Sequence, residues 1–80
     1  MTIKQRKEIA TFVLMGKFLD EKANDMQLML HFIQKEQYKC SINDLVEIGS
    51  LMRELSKTLK FKKVERQIGD SIAVFVEIDK

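Results

Sequence analysis

The stretch Ser41–Lys60, SINDLVEIGSLMRELSKTLK, decides how the chain is read. Ser41 has the chemistry of a helix N-cap, and Asp44 supplies the acidic residue three positions on. Ile42, Leu45, Val46 and Ile48 are expected to form the buried side of that helix. Gly49 is predicted to end it after about two turns by taking the left-handed conformation at its C-terminus. Ser50 then caps a second helix, with Leu51, Met52, Leu55 and Leu59 at helical spacing. The reading is two short helices meeting at a tight Gly49–Ser50 turn.

Downstream, the period of the apolar residues changes. In Lys63–Ile68, Val64, Arg66 and Ile68 share one face, and Lys63, Glu65 and Gln67 the other. Gly69–Asp70 or Asp70–Ser71 supplies a turn, after which the apolar Ile72, Val74, Val76 and Ile78 alternate with Ala73, Phe75 and Glu77. Period-two alternation of β-branched and aromatic residues on both sides of a Gly-Asp turn predicts a β-hairpin.

Upstream, Ile9, Phe12, Val13, Gly16 and Leu19 lie three and four apart and predict a helix over about Thr2–Asp20. Thr2 and Gln5 complete a capping-box pattern at its start. Leu14 and Phe18 form a second apolar strip, so this helix is expected to bury more than one face, within the monomer or against a partner. Phe12, Leu14, Met15 and Phe18 are the candidate residues for a homodimer or partner interface. Asn24 or Asp25 caps a second helix running to about Gln37, and Tyr38–Cys40 leave room for a short extended piece.

The element order from Met26 onward resembles the winged helix-turn-helix superfamily. Met26–Gln37 takes the place of its first helix and Lys39–Cys40 of a short first strand. Ile42–Ile48 and Ser50–Lys60 stand as the helix-turn-helix, and Phe61–Ile78 as the wing. The expected fold is therefore α+β, a single domain over residues 1–80 that is mainly helical. Residues 1–25 form an added N-terminal helix, and residues 26–78 a winged-helix-like unit with a C-terminal β-hairpin. The resemblance implies a second helix that enters the major groove of DNA. By position it would present Ser50, Arg53, Glu54, Ser56 and Lys57, with Lys60 at its end. Lys62, Lys63, Arg66 and Gln67 of the wing would reach phosphates or the neighbouring minor groove.

The charge distribution agrees with that expectation. The whole chain has 14 basic and 12 acidic residues, a formal charge of +2. Arg53, Lys57, Lys60, Lys62, Lys63 and Arg66 face only Glu54 and Glu65 between them, so this segment is +4 and the rest of the chain −2. Such clustering is what phosphate binding asks for. A solvated helix end, with lysines near its C-terminal dipole, has the same composition and needs no ligand.

Eighty residues, 45% hydrophobic and 32% charged with no proline, suit one small globular domain and exclude a disordered tail. One cysteine, Cys40, excludes an intrachain disulfide and any cysteine-based metal cluster, and fits a reducing compartment. Lys4, Arg6 and Lys7 ahead of Ile9–Met15 imitate a signal peptide, but Lys17 interrupts the apolar run and no small-residue cleavage site follows. No run approaches the roughly 20 apolar residues of a transmembrane helix, so a cytoplasmic protein is expected. His31 is the sole histidine and has no nucleophile placed beside it. Asp20 with Glu21, and Asp44 with Glu47, lack the ligand number of a calcium or zinc site. Neither a catalytic residue set nor a metal or cofactor is expected. The two functional expectations are a dimeric, DNA-binding transcriptional regulator, and a protein-interaction module of the same fold that binds no nucleic acid.

Overall fold

The computed structural model describes residues 1–79 and contains three helices followed by a hairpin: α1 (Ile3–Leu19), α2 (Asp25–Glu36), α3 (Ile42–Thr58), β1 (Phe61–Ile68) and β2 (Ser71–Ile78). The α+β expectation holds at this level. Each helix begins where its capping chemistry lies. Thr2 Oγ1 accepts from the Gln5 amide at 3.1 Å, while Gln5 Oε1 accepts from the Thr2 amide at 3.0 Å. Asn24 Oδ1 accepts from the Gln27 amide, and Ser41 and Asp44 form a second reciprocal box.

The largest departure from the sequence reading is α3. It runs unbroken for 17 residues, and there is no turn at Gly49–Ser50. The reason lies in the phase of its apolar residues: Leu45, Ile48, Met52, Leu55 and Leu59 continue at spacings of three and four straight through Gly49. Breaking the helix there would turn one half of that row away from the core. A glycine inside a helix costs only about 0.5–1 kcal/mol relative to alanine, less than the burial of one large apolar side chain. Ser50 caps nothing; its hydroxyl instead accepts from the Arg53 guanidinium at 3.2 Å. With α3 continuous, Ile42 and Val46 fall on the side opposite Ile48 and are solvent-exposed rather than buried.

α2 ends at Gln37, which takes the left-handed conformation at φ 58°. The Tyr38 amide bonds to the Ile33 carbonyl at 3.0 Å and the Gln37 amide to the Gln34 carbonyl at 3.2 Å, the pair of bonds of a Schellman cap. Residues 38–40 continue without regular structure, so the expected short strand at Lys39–Cys40 is absent and the sheet consists of β1 and β2 alone.

The core lies around α1, which packs against both α2 and α3 while those two barely touch each other. Ile9, Ala10 and Val13 of α1 meet Met29 and Ile33 of α2 and Ile48 of α3. α1 thus buries more than one face inside the monomer. Ion pairs fix it on both sides: Arg6 reaches Asp44 at 3.1 Å and Glu47 at 2.8 Å on α3, and Lys17 reaches Asp25 at 3.0 Å on α2.

The hairpin pairs antiparallel from Phe61↔Ile78 to Ile68↔Ser71 across the two-residue turn Gly69–Asp70. Gly69 is at φ +59° and Asp70 is not in the positive region, as a type II′ hairpin turn requires. Its base is anchored where the Phe61 ring lies 5.9 Å from that of Phe18 at the end of α1. The rest projects, and the molecule is 44 Å in its longest dimension.

Candidate nucleic-acid interface

The outward side of α3 is one helical line: Ile42, Val46, Ser50, Arg53 and Lys57, all exposed. Its first half is apolar, with Ile42 81% and Val46 62% exposed, and its second half is hydroxylic and basic. Arg53 and Lys57 sit one turn apart on this line. Ser56 lies toward the flank, where its hydroxyl donates to the Arg53 carbonyl at 2.8 Å. It also lines a cleft with Leu14, Met29, Gly49 and Met52.

Beyond α3 the positive charge continues through Lys60 into β1, but strand alternation divides it. Lys63 shares a face with Phe61 and Glu65, whereas Lys62 and Arg66 share the other with Val64. The Lys63 ammonium stands 5.8 Å from the centre of the Phe18 ring. Arg66 bonds to Glu77 on the neighbouring strand at 2.9 Å and lies over Phe75. Among the described residues Arg53, Lys57, Lys60, Lys62 and Lys63 make no ion pair. The ten residues singled out from sequence, from Ser50 to Gln67, are thus all exposed and lie within one stretch of the chain. They do not form one flat face.

The candidate interface residues of α1 are dispersed. Phe12 packs on Phe32 with ring centres 4.9 Å apart, and Phe18 on Phe61. Leu14 lines the cleft beside Met29 and Met52, and Met15 borders a shallow groove with Ile3, Phe12 and Phe32. Of these four only Phe18 is exposed, and further open apolar surface lies on Ile3 and Leu19 of α1, on Met26 and Leu30 of α2, on Ile42 and Val46 of α3 and along the hairpin at Ile68, Ile72, Val74, Phe75 and Ile78. The alternation along β2 announced one face of that ribbon, but nothing local announced that it lacks a cover. The exposed pair on α3 was readable from its phase opposite Ile48.

The titrating groups support a structural role for the remaining polar residues. Asp44 is held down to about 2, chiefly by the Ser41 amide, whose hydrogen bond to Oδ2 is 2.9 Å long. Burial opposes that shift, and the Ser41 hydroxyl and Arg6 reinforce it. Burial first, and then the Asp44 charge, push the Cys40 thiol above its usual value, so it is not activated by its place ahead of α3. Tyr38 is raised because its hydroxyl donates to Glu8 at 3.0 Å. His31 is exposed and stacks on Phe12 at 6.3 Å. Among the described residues no three acidic, histidine or cysteine side chains come close enough together to hold a metal ion. No described helix is long and apolar enough to cross a membrane.

No family model, characterised protein or solved structure matches this chain.

Proposed function

We propose that the chain is a small, non-enzymatic DNA-binding regulator that presents the outward line of α3 to a groove and braces it with the basic strand β1. The observation that carries this reading is the exposed run from Arg53 to Arg66, five of whose six cations make no ion pair among the described residues. In this reading α3 is the presented helix and the hairpin that follows it takes the place of a wing. Asn43 and Ser50 then supply donors and acceptors to base edges, and Ile42 and Val46 meet thymine methyl groups. Arg53, Lys57, Lys60 and Lys62 neutralise phosphates.

The test is fluorescence anisotropy with a labelled mixed-sequence duplex, repeated from low to physiological salt. Micromolar binding is expected, weakening with a log–log slope of about −0.9 for each phosphate neutralised. Charge reversal of Arg53 and Lys57 together is expected to abolish binding while the circular dichroism spectrum stays unchanged. Absence of binding at low salt would overturn the proposal.

One observation favours a second reading, a protein partner on the same face of α3. Ile42 and Val46, one turn apart on α3, are an exposed apolar pair with no apolar cover. Binding to that partner would survive salt and would be lost on Val46→Asp, whereas duplex binding tracks Arg53 and Lys57.

A further inference from the structure

The two edges of the hairpin differ in kind. β1, FKKVERQI, carries three cations and one anion, a strand edge of the type that resists pairing with other strands. β2, SIAVFVEI, carries one charge, Glu77, and that charge is taken up by Arg66 of the same hairpin. β2 has no proline, glycine or lysine to blunt it, and no strand covers its outer side. A free two-stranded ribbon is at best marginally stable in water. This one nevertheless leaves Ile72 69% exposed and Val74 49% exposed.

The ladder tells which backbone groups face outward. The Asp79 amide bonds to the Lys60 carbonyl at 2.7 Å, one step beyond the Phe61↔Ile78 pair. Hydrogen-bonded pairs alternate in an antiparallel ladder, so Lys62↔Glu77, Val64↔Phe75, Arg66↔Ala73 and Ile68↔Ser71 are the inward-bonded pairs. The amides and carbonyls of Ile72, Val74, Val76 and Ile78 therefore point to the open edge. These are also the four β-branched residues that share one face of the ribbon.

We propose that β2 is the interface of a homodimer, in which the β2 strands of two copies pair antiparallel about a two-fold axis and join the hairpins into a four-stranded sheet. Symmetry limits the register. An antiparallel pair related by a two-fold keeps each residue on the same face in both copies, so even-numbered residues oppose even-numbered ones. The register that uses every outward group sets Phe75 at the axis, Ile72 opposite Ile78 of the second copy and Val74 opposite Val76. All eight Ile and Val side chains then form one apolar band. The same register carries the exposed Ile72 at each tip to the base of the other hairpin, where Phe61 meets Phe18. Charge selects the occupant. Pairing through β1 in the equivalent register would set Lys62 opposite Arg66 of the second copy, whereas pairing through β2 sets its one charge, Glu77, opposite Ala73 and brings no like charges face to face.

Sedimentation velocity from about 1 to 100 µM, without nucleic acid, tests the proposal over the affinity range of weak to moderate dimers. The 9.4 kDa chain is expected to move to twice that mass as concentration rises. Val74→Lys is expected to keep it monomeric with an unchanged helical spectrum. Val74→Pro removes only an outward amide, leaves the inner ladder intact and is expected to do the same. Hydrogen exchange supplies a second readout, with protection of the Ile72, Val74 and Val76 amides at high concentration and its loss in Val74→Lys. A wild-type mass of 9.4 kDa throughout, or a dimer that both variants leave intact, would overturn it.

Discussion

The helical body and the hairpin handle the same kind of residue in opposite ways. In the body, Ile9, Val13 and Ile48 are wholly buried, and the cations between helices are matched, Arg6 by Asp44 and Glu47, Lys17 by Asp25. In the hairpin no residue is fully buried, Ile and Val stand in solvent, and four of the chain's cations gather on or just before one strand. The helices therefore share one core around α1, while Ile42 and Val46 stay exposed on the outer side of α3. Under the proposed readings, β1 joins α3 against a phosphate backbone while the other edge of the hairpin takes up a second β2 strand.

The contrast can be broken most severely by cavity formation. Ile48→Ala should cost the body about 3 kcal/mol in urea unfolding, within the range for burying and then deleting such a side chain. Val74→Ala, measured below the concentration of self-association, should cost less than about 0.5 kcal/mol. Comparable losses at the two sites would mean the hairpin belongs to the same cooperative core. Acid comes next. Asp44 is lowered in the folded state, so its contribution is complete above its ordinary value of 3.8 and disappears as pH falls through about 2. Helical signal is expected to fall across that window, and Asp44→Asn should flatten the fall while lowering stability at neutral pH. A smaller and opposite effect belongs to Gly49. Nothing lies within 4 Å of where its Cβ would stand, so Gly49→Ala should stabilise by about 0.5–1 kcal/mol. A loss of that size would mean instead that a turn exists there. Smallest of all, Gln37→Gly should relieve the left-handed residue at the end of α2 by about 0.5 kcal/mol in thermal unfolding.

Sequence carried the local chemistry and missed what depends on phase and on neighbours. The caps at Thr2, Asn24 and Ser41 and the hairpin with its Gly69–Asp70 turn were legible, because each is settled within a few residues. Gly49–Ser50 misled because glycine followed by serine has the chemistry of a helix stop and a fresh cap. The row Leu45, Ile48, Met52, Leu55 and Leu59 held the contrary signal, since an unbroken phase outweighs one unfavourable residue. The same oversight put Ile42 and Val46 in the core, as two short helices place no constraint on each other's faces. The candidate cations were found as a run of charge. Their division between two ribbon faces, and the engagement of Arg66 with Glu77, depend on a register fixed only across the hairpin.

Tyr38 gives the molecule a single optical reporter. The chain has one tyrosine and no tryptophan, and that tyrosine holds the end of α2 to α1 through Glu8 while its ring rests near Phe32. Its emission and its ultraviolet circular dichroism therefore report the seam between two helices of the body and are silent about the hairpin. Melting followed by tyrosine would record the body alone. A change in that signal on adding DNA would mean that an event at α3 or β1 had been transmitted through α1, a distinction no label is needed to make.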